Sequence, residues 1–107
     1  MPTFEDREKS FESAFAREEE LRFKAAVRRN RALAAWASGL LGHDGAATAA
    51  YAEAMSGLAL RADADAATRA RLEADLAPLG EKASAHRIGR RMDSEFAAAL
   101  AALKAGD

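Results

Sequence analysis

Three phenylalanines, Phe4, Phe11 and Phe15, stand at i, i+7 and i+11 in the opening FEDREKSFESAFAREEELRFKAAVRRN, with Asp6, Arg7, Glu8 and Lys9 between the first two. A 3.6-residue repeat brings the three rings onto one face of a helix. Such a face does not make or break bonds. It needs a surface to cover it, so the chemistry it supports is recognition, and the surface that suits it is a hydrophobic groove with basic neighbours. A membrane surface fits less well, because interfacial helices carry Lys and Arg on their polar face and this one is mostly acidic. No direct membrane insertion is expected.

Residues that could carry catalysis are absent or badly spaced. His43 falls in a predicted loop and His86 at a helix start, at no metal-ligand spacing with each other or with a carboxylate cluster, and both read as exposed polar residues. The chain has no cysteine and no GxxxxGK[ST], GxGxxG or GxSxG. An enzyme is not expected, nor a metal, and no cofactor is implied. Arg28, Arg29 and Arg31 could meet phosphates, but a charge run of this kind reads first as a solvated helix face, and a net charge of -1 argues against nucleic acid as a partner.

The elements that position the phenylalanines follow from the same rules. At 107 residues the chain is read as one domain, 1–107, with a single core. Half of it is apolar but only 7% is aromatic, so the core must rely on close helix approach more than on bulky side chains. Strong helix formers and few β-branched residues predict an all-α fold. The longest apolar runs are alanine-rich and far short of the roughly 20 residues of a membrane span. The opening also lacks a secretory leader, and a cytoplasmic location is expected.

A first helix is predicted over 4–41, capped by Thr3 with Asp6 at N3 and stopped at Gly42. Glu5 and Lys9, Glu18 and Arg22, and Glu20 and Lys24 are spaced to pair along it. Up to Glu20 it carries seven acids (Glu5, Asp6, Glu8, Glu12, Glu18, Glu19, Glu20) and three bases (Arg7, Lys9, Arg17), then five bases and no acid from 21 to 31. The phenylalanine face is interrupted by Glu18, Glu19 and Arg22 and becomes apolar again at Ala26, Leu33, Trp36 and Leu40, which are expected in the core. Asp44 caps a second helix over 45–62 on Tyr51, Met55 and Leu58. Asp63 or Asp65 caps a third over 66–79 on Leu72, Leu76 and Leu79, weakened by Pro78. Ser84 caps a fourth over 85–104 on Ile88, Met92, Phe96, Leu100 and Leu103. Together these predict a four-helix bundle.

Length then separates two halves of the first helix. At 1.5 Å per residue it spans roughly 55 Å, against about 20–30 Å for each of the others. The bundle covers residues from about 21 onward, and the half bearing Phe4, Phe11 and Phe15 is expected to overhang or be disordered in the free protein, folding on a protein partner.

These residues resemble a known family. The opening segment, with REKxF at residues 7–11, EExxFKxxxRRN at 19–30, Trp36, LLG at 40–42 and IxRxMD at 88–93, closely resembles the zeta subunit family of alphaproteobacterial F-type ATP synthases. The likeness runs the whole length and is thinnest in the middle, where alanines replace more varied family residues. It implies a four-helix protein whose mobile segment, residues 1–19 here, wedges into a catalytic interface between the alpha and beta subunits against gamma, while the bundle, 20–107, docks it. ATP hydrolysis and reverse rotation would thereby be blocked. Carried onto this sequence, the inhibitory positions are Phe4, Asp6, Arg7, Glu8, Lys9, Phe11 and Phe15, with Phe11 and Phe15 as groove anchors and Arg7 and Glu8 setting register. The resemblance also implies a place peripheral to the inner membrane through that enzyme, and weak binding of adenine nucleotide, for which no residue stands out. The alternatives are a non-inhibitory structural or assembly subunit of the same complex and a self-associating helical protein.

Overall fold

Thr3 starts the first helix with a complete capping box, its hydroxyl accepting from the Asp6 N–H at 3.1 Å while the Asp6 carboxylate accepts from the Thr3 N–H at 3.1 Å. From there α1 runs unbroken over Phe4–Leu41. Gly42 ends it in the left-handed region, φ 71°, which lets His43 donate back to the Ser38 carbonyl at 3.0 Å. These features belong to a computed structural model that describes residues 3–107. Asp44 caps α2, Gly45–Leu58, by accepting from the Ala47 N–H, and Ser84 caps α4, Ala85–Lys104, by accepting from Arg87. Between them lie α3, Ala64–Leu76, and a 3-10 segment, Ala77–Ala83. The protein is all-α, a four-helix bundle on a long first helix, and no strand occurs among the described residues.

Side-chain pairs fix the directions. Arg91 near the start of α4 lies over Trp36, and Lys104 at its end reaches Glu18, so α4 runs antiparallel to α1. Asn30 bonds the far end of α2, which therefore also returns antiparallel. Asp65 meets Arg29 at the start of α3 and Asp75 meets Tyr51 near its end, which makes α3 parallel to α1. Burial and the Asp75 carboxylate push the Tyr51 phenol well above its ordinary value, so it remains a donor at neutral pH. The core is built on Leu33, Met55, Leu72, Leu76, Ile88 and Met92, all buried.

Several sequence expectations need correction. The buried line of α1 is not Ala26, Leu33, Trp36 and Leu40. It is Ala25, Arg29, Leu33 and Ala37, with Asn30, Ala34 and Ser38 beside them; Leu40 is exposed and Trp36 half-buried. α2 and α4 flank α1, and the small Ala34, Ala37 and Ser38 are the ones fully covered between them, while the larger Trp36 packs at the edge of the core. α2 stops at Leu58 and not at 62, and successive turns carry the chain from 59 to 63 with Leu60 in solvent. α3 starts at Ala64 and ends at Leu76, where Pro78 and then Gly80, with φ 61°, divert the chain. Asp63 does not cap α3, because Arg61 holds its carboxylate at 2.7 and 3.0 Å. Glu5 and Lys9 do not pair among the described residues, whereas Glu18–Arg22 and Glu20–Lys24 do, at 3.8 and 3.1 Å. His43 is partly buried, bonded to Ser38 at 3.0 Å and edge-on to the Tyr51 ring.

The largest departure is Arg29, which is not on a solvated face but only 4% exposed. Its Nη1 pairs with Asp65 at 2.7 Å and its Nε donates to the Asn30 side-chain oxygen at 3.1 Å. Nη2 has no hydrogen-bond partner, and the guanidinium lies 5.7 Å from the Phe96 ring centre, where a cation–π contact takes the place of one. Asn30, fully buried, donates to the Met55 carbonyl at 2.8 Å and to the Thr68 hydroxyl at 2.9 Å. The Met55 carbonyl belongs to the last turn of α2, where Ala59 N–H turns to Ser56 and Leu60 to Gly57, so Asn30 supplies a donor to a helix end from the side. One amide thus joins α1, α2 and α3.

Two stability outcomes follow. Asn30→Ala removes two buried donor contacts and strands the Arg29 and Met55 groups, and is expected to cost about 2–4 kcal/mol, read as a fall in the urea midpoint at unchanged slope. Gly89→Ala is expected to stabilise by about 0.5–1 kcal/mol, because the only atoms a new Cβ would meet closely are the tip of the exposed Arg69 side chain, at 2.9 Å.

Candidate functional site

The continuous α1 gives the molecule its long dimension, 61 Å against 27 and 23 Å across. At about 100° per residue, Phe4, Phe11, Phe15, Arg22 and Arg29 lie within an arc of about 40° along it. The last two hold α4: their guanidiniums sit 5.4 and 5.7 Å from the centre of Phe96. The phenylalanine line is therefore the bare continuation of the face on which α4 packs. Phe4, Phe11 and Phe15 are 81%, 74% and 61% exposed.

The end of α4 is tied down. Glu18 pairs with Lys104 at 3.5 Å and with Arg22 at 3.8 Å, and Arg28 donates to the Asp107 carbonyl at 3.0 Å, which folds the last residues back onto α1. Beyond Glu18 lies the arm, residues 4–17, exposed at every position. Of the residues singled out from the sequence, Phe4, Arg7, Glu8, Lys9, Phe11 and Phe15 are exposed along it, and Arg7, Glu8 and Lys9 form no ion pair among the described residues. Asp6 is exposed but committed to the cap, and the Thr3 N–H that it accepts from, with the Thr3 hydroxyl beside it, holds its carboxyl below the ordinary aspartate value. Met1 and Pro2, which open the segment 1–19, lie outside the described residues.

Phe23 escaped the sequence reading. It is half exposed, roughly 100° around the helix from the phenylalanine line. Its place in the EExxFKxxxRRN pattern was the available signal. The same pattern also contains Arg29 and Asn30, so it holds both the inner fastening of the bundle and the root of the arm.

Residues 1–102 match the family described as ATPase inhibitor subunit zeta. The chain belongs to that family. No curated protein and no solved structure matches it. The zeta match covers the arm and most of α4, so the projecting helix and its bundle lie within the inhibitor family's own span. In a zeta-family chain the IxRxMD pattern acquires a physical meaning: Ile88 and Met92 are core residues on one side of α4, and Arg90 points to the other. No helix among the described residues is long and apolar enough to cross a membrane.

The start of the arm helix depends on the cap. Thr3→Ala is expected to speed amide exchange over the first two turns about fivefold while the bundle's unfolding midpoint stays unchanged. The Asp6 half of the box is favoured when ionised, because its folded value is depressed. Its contribution is complete above the unfolded value, about pH 4, and is lost as pH falls through the folded one. Exchange measured between pH 5 and 3 should show the arm loosening in acid before the bundle does.

Proposed function

We propose that this protein is the inhibitor subunit of an F-type ATP synthase and that residues 1–19 wedge into a catalytic alpha/beta interface beside gamma, stopping ATP hydrolysis and reverse rotation. The observation that supports this is the bare phenylalanine line, rooted at Glu18 and carried by an unbroken helix, in a chain of an inhibitor family. Residues 20–107 form the body that holds the arm against the enzyme's head. The protein acts by binding and performs no reaction of its own, in the cytoplasm and peripheral to the inner membrane through its host.

Phe11 and Phe15 anchor the arm in an apolar groove, each ring contributing about 1.5–3 kcal/mol on full burial. Phe4 extends the same line. Arg7 and Glu8, exposed and unpaired among the described residues, meet subunit charges that fix register, and Lys9 joins them. Asp6 contributes through the Thr3 cap that starts the helix. Alone in water a segment of this length is marginal as a helix, so its order in the free protein is partial and is completed in the groove. The wedge inhibits to the extent that it binds one rotational state of the enzyme better than the others.

Titration of ATP hydrolysis by the purified enzyme tests the reading. Full-length protein is expected to suppress hydrolysis, and a chain without its first 18 residues to lose that effect. Phe11→Ala and Phe15→Ala should each raise the half-inhibiting concentration about tenfold or more. Equal suppression by the full and truncated chains would sink the wedge and favour a body that attaches without it.

A further inference from the structure

A second feature lies at the opposite end of α1. Trp36 on the rim of α1, Lys82 of the 3-10 segment and His86, Arg87, Arg90 and Arg91 of α4 surround an open cleft of roughly 550 Å³, and no acid lines it. Arg91 is engaged, with Glu95 at 3.3 Å and with the Trp36 ring at 5.4 Å. Lys82, Arg87 and Arg90 form no ion pair among the described residues, and what sets them apart from other unpaired surface cations is that they gather around one recess with Arg91 and Trp36. The cluster also stands at the wrong end of its helix. α4 has no acid in its first turn, and His86 and Arg87 sit where the macrodipole is positive. Three of the four fixed cations there, Lys82, Arg87 and Arg90, have no carboxylate partner among the described residues, and Arg87 in the first turn also stands against the dipole. A local rule broken without internal compensation points to an external partner.

The form of the cleft selects the kind of partner. Its cationic side chains are all exposed and none is buried as a fixed donor, whereas a small-ligand site encloses most of what it binds. A flat lipid surface cannot enter a recess whose apolar element, Trp36, forms its wall. A protein segment brings its own second wall, and Trp and Arg are the residue types enriched at the centres of protein interfaces. The cleft also lies on the side of α1 that carries the phenylalanines: Trp36 is about 60° or less from each of them around the helix and roughly 30 Å from Phe15 along it. One partner surface can face both.

We infer that this cleft is a second docking point, which takes a carboxylate-rich helix or loop of the same enzyme head that the arm enters. This rests on the function proposed above. Two attachments on one stiff helix make the second intramolecular once the first has formed, so the basic cleft raises the arm's effective concentration at its groove. The cleft supplies attachment and salt dependence, and the arm supplies inhibition.

The test uses full-length protein carrying Lys82→Gln, Arg87→Gln and Arg90→Gln together, leaving Arg91 and Trp36 in place, with affinity for the purified enzyme head measured between 50 and 300 mM salt. The triple variant is expected to bind about tenfold more weakly at the lowest salt and with a shallower salt dependence, while inhibition at saturation and the unfolding midpoint match the parent. Equal affinity and equal salt dependence for parent and variant overturn the second docking point and leave the arm reading intact. A parent chain that does not bind the head at all removes both. Retention of the parent but not the variant on phosphatidylglycerol vesicles or by inorganic tripolyphosphate, with head affinity unchanged, overturns the proposal in favour of those anions.

Discussion

Helices of 14, 13 and 20 residues cannot cover one of 38, and that mismatch governs the molecule. α4, the longest partner, lies against α1 from Trp36 to Glu18 and ends there at Lys104. At its end Lys104 and Arg22 share the Glu18 carboxylate, and Arg28 fastens the last residue. Surface ion pairs of this kind are individually weak. Their significance is positional, because they fix where burial stops. Past that point the ring exposures of Phe15, Phe11 and Phe4 rise in order toward the tip, as expected for a helix leaving its cover.

What lies on the covered side has to be unusually specific, because an alanine-rich core offers little shape to discriminate one packing from another. The buried polar set supplies that discrimination. Asn30 has its amide donors on α2 and α3 and accepts from Arg29, so a slip of either helix along α1 would leave buried donors and acceptors unmatched. Tyr51 and Arg71 converge on Asp75 and tie α2 to α3 by a second polar contact nearer the other end. Both contacts act on registry more than on gross stability, the apolar residues between them supplying most of the burial.

The bounds of α1 and α4 were legible in the sequence because each is set by local chemistry: a capping box at Thr3 and Asp6, a left-handed glycine at 42, a serine cap at 84. The ends of α2 and α3 were not, because the turns from 59 to 63 contain no strong stop and Asp63 is drawn off by Arg61. The phenylalanine line was legible as a period. The burial of Arg29 was not, because an arginine between Arg28 and Arg31 reads as solvated until α3 and α4 bring Asp65 and Phe96 to it. The basic cleft was hidden for a similar reason, as Trp36 and the α4 arginines meet only once α4 returns along α1.

How much the arm would gain in a partner's groove depends on what it has already lost as a free helix. Ordering the backbone costs about 1–2 kcal/mol per residue, so fifteen residues folded only on contact would consume more than three buried rings return. A helix already propagated from the bundle avoids the nucleation step, because residues from Glu18 onward present a finished turn for it to extend. The Thr3 box closes the far end. The arm is thus a helix seeded at its root and capped at its tip, with only the interval between them marginal. No glycine or proline interrupts α1 before Gly39, so whatever holds the tip also constrains the bundle about 50 Å away. A partner that moves the groove relative to the body must break contacts at one end or bend a helix with no residue suited to bending, and a stiff α1 is for that reason better suited to resisting rotation than a flexible tether would be.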